Sequence, residues 1–311
     1  MDITSRGRGC LLGLACGDAI GTTVEFRERG SFPPVTDMVG GGPFRLPVGA
    51  WTDDTSMALC LATSLVELGR FDAKDQMQRY CQWHEKGYLS STGRCFDIGL
   101  TVRGSLARFE KSGDPFAGRP DPSSAGNGCI MRLAPVPIFH YPDVAAAIRW
   151  SGESSRTTHG APECIESCRL LAAMICAALS GRSKDEILFG HDPDCYETPK
   201  VRAVAAGQYR EKSIDAISGS GYVIHCLEAS AWCLWRSNTF REAVLMAVNL
   251  GDDADTTGAV CGQLAGAIYG EPGIPPEWLS RLVMVDEIRT LADRLVAPRI
   301  DRPSMLCVDG S

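Results

Sequence analysis

Runs of alternating β-branched residues are nearly absent from this chain, so the period-two pattern of a half-buried strand hardly occurs. Helix-length apolar stretches stand in its place. Gly9 to Ile20 is small and apolar and reads as a buried helix. Asp53 to Leu68 reads as a second, with Thr52 as N-cap, acids in the first turn and Gly69 at its end. Asp72 to Trp83 and Ile98 to Glu110 follow, then Val144–Trp150 and Pro162–Leu179. Tyr222–Trp235, Phe240–Leu250 and Thr256–Tyr269 read as three buried helices in succession. The last carries Gly258, Gly262 and Gly266, which permit close helix packing. Pro276 to Leu295 continues helical, while residues 21–51, 86–96, 111–128 and 186–220 read as loop or irregular chain. The expected fold is all-α, a single compact orthogonal helical domain over residues 1–298, followed by a loose tail over 299–311. No solenoid-type repeat is present.

Composition narrows the function. With 311 residues, 44% of them hydrophobic and 22% charged, the chain has an ordinary globular balance and can bury a large core. A net charge of −7 without a long basic run disfavours nucleic-acid binding. The 14 cysteines are scattered, several in apolar helical runs, and none forms a Cys-x-x-Cys pair. No secretory signal opens the chain and no stretch of about 20 apolar residues occurs. The expectation is a cytoplasmic protein with reduced thiols, no membrane segment and a monomeric state.

Two acidic clusters stand out, Thr52-Asp53-Asp54 and Asp253-Ala254-Asp255-Thr256. Acids at a helix start have an ordinary explanation, since they cap N–H groups and complement the dipole for about 0.3–1 kcal/mol each. Here two such clusters lie in apolar, glycine-rich sequence, and burying like charges so close costs several kcal/mol unless a cation compensates. Carboxylates and hydroxyls are hard donors suited to Mg²⁺, Mn²⁺ or Ca²⁺. Zinc lacks its His and Cys ligands in both clusters. An EF-hand loop beginning at Asp253 would need Glu at its twelfth position, where Leu264 stands. If Glu25 joins, five carboxylates face two dications, leaving coordination places for water and substrate. Gly126-Asn127-Gly128 reads as a loop-to-helix turn able to present N–H groups to a pyrophosphate.

In order along the chain stand G-L-A-C-G-D-A-I-G at 13–21 with Glu25 behind it, W-T-D-D-T at 51–55 and C-F-D-I-G at 95–99. G-N-G-C-I-M-R at 126–132, T-T-H at 157–159 and G-D-D-A-D-T-T-G-A at 251–259 complete the set. Each motif alone is weak, but the ordered set is specific, and with it the chain resembles the ADP-ribosylglycohydrolase family. The resemblance implies an all-α fold around a dinuclear Mg²⁺ or Mn²⁺ centre. Thr52, Asp53 and Asp54 would be ligands from one helix start, and Asp253, Asp255 and Thr256 from the other. Glu25 takes the place of the family's mobile glutamate near the metals. His159 falls where the family contacts bound ADP-ribose, and Gly93, Gly126, Asn127, Gly128 and Cys129 join it as expected substrate contacts. Two departures occur: Asp252 stands where the family often has glycine, and Cys129 where it often has a small residue.

Asp97 reads either as an N-cap of the helix from Ile98 or, by the resemblance, as an acid beside the scissile bond of arginine-directed members. The expected activity is removal of ADP-ribose from modified arginine side chains of proteins. Glu25 or Asp54 would act as base and Asp97 would assist the leaving group. ADP-ribosyl-serine, O-acetyl-ADP-ribose, or a non-catalytic ADP-ribose reader are the alternatives.

Overall fold

The computed structural model describes residues 1–297, so the expected tail over 299–311 lies outside the described residues. The all-α expectation holds: the β-pairing among the described residues is confined to isolated bridges such as Gly126 with Tyr222. In chain order the helices are α1 (Ile3–Gly21), α2 (Asp53–Leu68), α3 (Ala73–Lys86), α4 (Leu100–Ser112), α5 (Pro135–His140), α6 (Val144–Arg156) and α7 (Pro162–Leu179). They continue as α8 (Lys184–Phe189), α9 (Pro199–Ala205), α10 (Val223–Arg236), α11 (Phe240–Val248), α12 (Ala254–Tyr269), α13 (Pro276–Leu279) and α14 (Val285–Val296).

Several boundaries differ from the sequence reading for local reasons. α1 begins at Ile3 rather than Gly9, because the Asp2 carboxylate accepts from the Ser5 N–H at 2.8 Å and caps the extra turns. α4 begins two residues late, with Gly99 as its cap. The stretch 186–220 is not wholly irregular: a Ser183–Glu186 capping box starts α8, and Pro199 occupies the first turn of α9. The expected helix Pro276–Leu295 is broken into α13 and α14, with Met284 left-handed at φ 57° between them.

The architecture is organised by α1 and α12, which run antiparallel in backbone contact. A Cβ placed on Gly9 would lie 2.2 Å from the Gly266 carbonyl oxygen, and one on Gly13 would lie 2.2 Å from that of Gly262. On Gly17 it would lie 2.0 Å from the Gly258 oxygen. Glycine every fourth residue on α1 therefore faces glycine every fourth residue on α12, and any side chain would force the helices apart. At the end of this ladder a Cβ on Gly21 would meet the Asp255 Cα at 2.4 Å. The C-terminal end of α1 is thereby seated on the N-terminal end of α12. One apolar core, with members from Cys10 to Leu295, surrounds this pair. A smaller cluster of Met57, Tyr80, Trp83, Leu106 and neighbours packs α3 and α4 against α2. No helix among the described residues is long and apolar enough to cross a membrane, and every described cysteine is a free thiol.

Candidate active site

The N-terminus of α2 meets the junction of α1 and α12, and the agent that holds it there is Asp18, a residue to which the sequence reading gave no role. Asp18 is fully buried. One of its carboxylate oxygens accepts from the Thr52 N–H at 2.8 Å and the Thr52 hydroxyl at 2.9 Å. The other accepts from the Thr55 N–H at 3.0 Å and the Thr55 hydroxyl at 2.6 Å. Four donors fill the lone-pair positions of one carboxylate, so Asp18 caps α2 from a different helix. The expected N-cap, Thr52, makes no side-chain cap. Its hydroxyl proton goes to Asp18, while its oxygen sits 3.3 Å from both Asp54 Oδ2 and Asp255 Oδ2. With the proton committed, oxygen faces oxygen in both directions, an arrangement that a cation between them would relieve.

The two sequence clusters converge. Thr256 donates from its hydroxyl to Asp54 Oδ1 at 3.1 Å, across 202 positions of chain. Carboxylate oxygens of Asp18, Asp54 and Asp255 lie within 4.8 Å of one another, and so do those of Glu25, Asp97 and Asp255. Asp255 belongs to both groups. Asp253 accepts from the Asn127 amide at 2.8 Å, which ties the second cluster to the glycine turn. Asp252 is exposed, and its backbone pairs with that of Phe26 and Arg27, so it anchors the Glu25 segment and offers no ligand to the cluster.

Seven carboxyl groups gather here, two more than the sequence reading counted, the additions being Asp18 and Asp97. Burial, then mutual repulsion led by Asp97, Asp253 and Asp54, pushes Glu25 up to about 10. Burial followed by Asp18 and Asp253 pushes Asp97 up to about 7. Burial raises Asp18 to about 6 despite its hydrogen bonds. Asp53, Asp54 and Asp255 are held well above the usual carboxylate range, again by burial first and neighbouring acids second. The Glu25 Oε2 atom is buried without a hydrogen-bond partner. Hard oxygen donors, repelling one another and incompletely satisfied, fit divalent cations of the Mg²⁺ or Mn²⁺ kind.

A cleft of about 360 Å³ opens on this cluster. Glu25, Asp53, Asp97, Asp253, Asp255 and Thr256 line it on one side, and Gly126, Asn127, Gly128 and His159 on the other. Asp54 does not line it; the residue is fully buried behind Thr52 and Thr256. Gly93 is exposed and also lies off the cleft wall. The Cys129 side chain is buried beneath the turn, its thiol 3.9 Å from the Gly126 and Cys164 carbonyl oxygens. Asp97 is no N-cap: it sits at φ 59°, three residues before α4, and projects its acid at the cluster.

The glycine turn is pinned by the Asn127 N–H to the Gly221 carbonyl at 3.0 Å and by the Val223 N–H to the Ala125 carbonyl at 3.0 Å. It leads into further turns, with α5 beginning only at Pro135. The N–H groups of Gly128 and Cys129 are not taken up by any protein acceptor among the described residues. A Cβ on Gly128 would lie 2.9 Å from the His159 ring, so glycine is required for that ring to lie against the turn. Arg132, buried and unread in the sequence beyond its place in the motif, donates to the Gly128 carbonyl at 2.5 Å and to the Thr158 hydroxyl at 2.6 Å. The Thr158 hydroxyl lies 2.8 Å from His159 Nδ1. With Arg132 donating to it, that hydroxyl gives its proton to Nδ1, which leaves Nε2–H as a donor beside Gly126 and Gly128. Burial holds His159 down at about 4, so it stays neutral near pH 7.

Fold and site together define an all-α protein with a carboxylate-lined cleft fed by helix N-termini and a glycine turn. Comparison with known proteins agrees. The family model described as ADP-ribosylglycohydrolase matches residues 1–304. "ADP-ribosylarginine hydrolase Tri1" of Pseudomonas putida (strain GB-1) is 47% identical over 298 residues, covering 95% of this chain and 80% of that protein. "ADP-ribosyl-[dinitrogen reductase] glycohydrolase" of Rhodospirillum rubrum is 34% identical, covering 95% and 97%. A solved structure described as "ADP-ribosylglycohydrolase-related protein complex" superposes with a TM-score of 0.83 at 43% identity, covering 95% of this chain and 98% of that one. This chain belongs to the ADP-ribosylglycohydrolase family.

Proposed function

We propose that this protein hydrolyses the N-glycosidic bond between ADP-ribose and an arginine side chain of a modified protein, using two divalent cations. The observation that carries the reading is the meeting of Glu25, Asp97 and Asp255 within 4.8 Å on the wall of one cleft. The 47% identity to an arginine-directed relative supports arginine as the far side of the bond. Thr52, Asp53, Asp54, Asp253, Asp255 and Thr256 would hold the cations, Asp255 being the member common to both close groups. Once bound, Mg²⁺ or Mn²⁺ neutralises the cluster and supplies Lewis-acid polarisation of ribose hydroxyls and water.

The chain's own groups then divide the work. The free N–H groups of Gly128 and Cys129 and the Nε2–H of His159 receive the pyrophosphate, which places the distal ribose over the carboxylates. Glu25 is the base: it lines the cleft with an unpartnered oxygen, whereas Asp54, the other candidate, is shut behind two threonines. With its acidic neighbours neutralised by the cations, Glu25 is ionised and takes a proton from water as that water attacks the anomeric carbon. Asp97, on the same cleft wall as Glu25 and Asp255, gives a proton to the departing guanidine nitrogen as the C–N bond breaks. Products are ADP-ribose and arginine, with one proton gained by Glu25 and one lost by Asp97.

The test is release of ADP-ribose from arginine-modified protein with Mg²⁺, with Mn²⁺ and with chelator, read by mass spectrometry. Unchanged release in chelator refutes the cation-dependent mechanism. Release from serine-linked substrate with none from arginine-linked substrate refutes the linkage.

A further inference from the structure

A second recess, of about 410 Å³, adjoins the cleft. Phe26, Asp97 and Ile98 line both, so Asp97 stands between them. The glycine turn and His159 belong to the cleft alone. A ligand that runs from the glycine turn to the carboxylates therefore has its far end at Asp97, and whatever is attached beyond the broken bond emerges into the recess.

The recess is built unlike the cleft. Its floor is aromatic, with ring centroids of Phe44 and Phe96 5.3 Å apart and those of Phe26 and Phe44 6.4 Å apart. Phe26 is 68% exposed, although a large aromatic side chain is stabilised by burial. It is kept outside by a left-handed backbone at φ 63°, fixed by its N–H donating to the Asp252 carbonyl at 2.7 Å. Its wall carries one guanidinium within an acidic protein. Arg103 lines the recess, exposed and without an ion pair among the described residues. An aromatic floor beside the Arg103 guanidinium suits a polypeptide segment that presents an apolar stem and an acidic neighbour.

We infer that this recess receives the polypeptide of the modified protein around the modified side chain, an inference that rests on the function proposed above. The aliphatic stem of the modified arginine lies on Phe44 and Phe96, and an acidic residue beside it in the target pairs with Arg103. The recess thus reads the protein while the cleft reads ADP-ribose.

The experiment compares two substrates of this protein with Mg²⁺: ADP-ribosylguanidine, which lacks the aliphatic stem, and an ADP-ribosylated peptide with glutamate next to the modified arginine. For Phe44→Ala and for Arg103→Glu, KM for the peptide is expected to rise about tenfold while kcat/KM for ADP-ribosylguanidine stays within about twofold. Exchanging the peptide's glutamate for lysine is expected to restore the KM of Arg103→Glu and to raise that of the parent protein. Arg103 is exposed, so its variant serves even where Phe44→Ala folds poorly. Equal losses on both substrates, or no loss on the peptide, overturn the inference while leaving the proposed function standing. A parent protein inert on both substrates overturns the proposed function and the inference with it.

Discussion

Six carboxyl groups of the cluster, each raised by burial, make the stability of the cation-free protein fall as pH rises. Asp97 moves from an ordinary value of 3.8 to about 7 in the folded chain. Between those values the folded state holds a proton that the unfolded chain has released, so stability present below about pH 4 is lost by about pH 7. A separation of about three pH units, at about 1.4 kcal/mol each, makes this loss about 4 kcal/mol. Asp18, raised to about 6, loses in the same direction, and Glu25, raised to about 10, goes on losing above pH 7. For a chain of this size about 4 kcal/mol corresponds to roughly 10 °C in Tm. Bound Mg²⁺ takes the place of those protons, so its stabilising effect must grow with pH. The assay is thermal unfolding at steps from about pH 5 to about pH 8, in EDTA and in excess Mg²⁺. The difference between the two curves removes contributions from surface groups common to both. The expected outcome is a gap that widens by several degrees toward pH 8 and narrows in Asp97→Asn. A gap that is constant, or widest at pH 5, would refute the electrostatic account of the site.

Three further outcomes follow from the same geometry. Asp18→Asn turns an amide NH₂ toward backbone N–H donors that now have a full acceptor; with Mg²⁺ present it is expected to cost about 2–3 kcal/mol, and a parental Tm would show that α2 needs no such cap. Asp255→Asn is expected to lower ADP-ribose release by at least about a hundredfold while the Tm in EDTA stays level or rises, since a repelling charge is gone; full activity would remove Asp255 from the site. Gly13→Ala puts a methyl where the Gly262 carbonyl already lies and is expected to lower stability by about 1–3 kcal/mol, measured by denaturant titration, with no change refuting the backbone contact.

How much was legible in the sequence depended on how local each signal is. α2 and α12 announce themselves through acids in the first turn and an apolar body, and both began within two residues of their reading. The all-α class followed from the missing strand pattern. The short helices α5, α8 and α9 went unread because a helix of six or seven residues spans too few turns to show a period. Asp18 went unread for a different reason. Its four partners lie 34 and 37 positions away, so nothing beside it in the chain marks it, except that it is the one acid of α1 and stands in the apolar stretch of that helix. Asp97 was read between two roles, and its positive φ, invisible in sequence, decides against the cap. Arg132 lay inside a recognised motif, yet only the packed structure reveals that it fixes the turn and the ring beneath it.

The glycine ladder between α1 and α12 has a consequence for how this site tolerates change over evolutionary time. Because main-chain atoms of one helix rest on main-chain atoms of the other, the gap that sets where Asp18 stands relative to Asp255 works as a fixed gauge. Larger or smaller residues can be exchanged elsewhere in the core without resetting it. The dimension fails in one step, when a single methyl is added on the ladder, and hardly drifts otherwise.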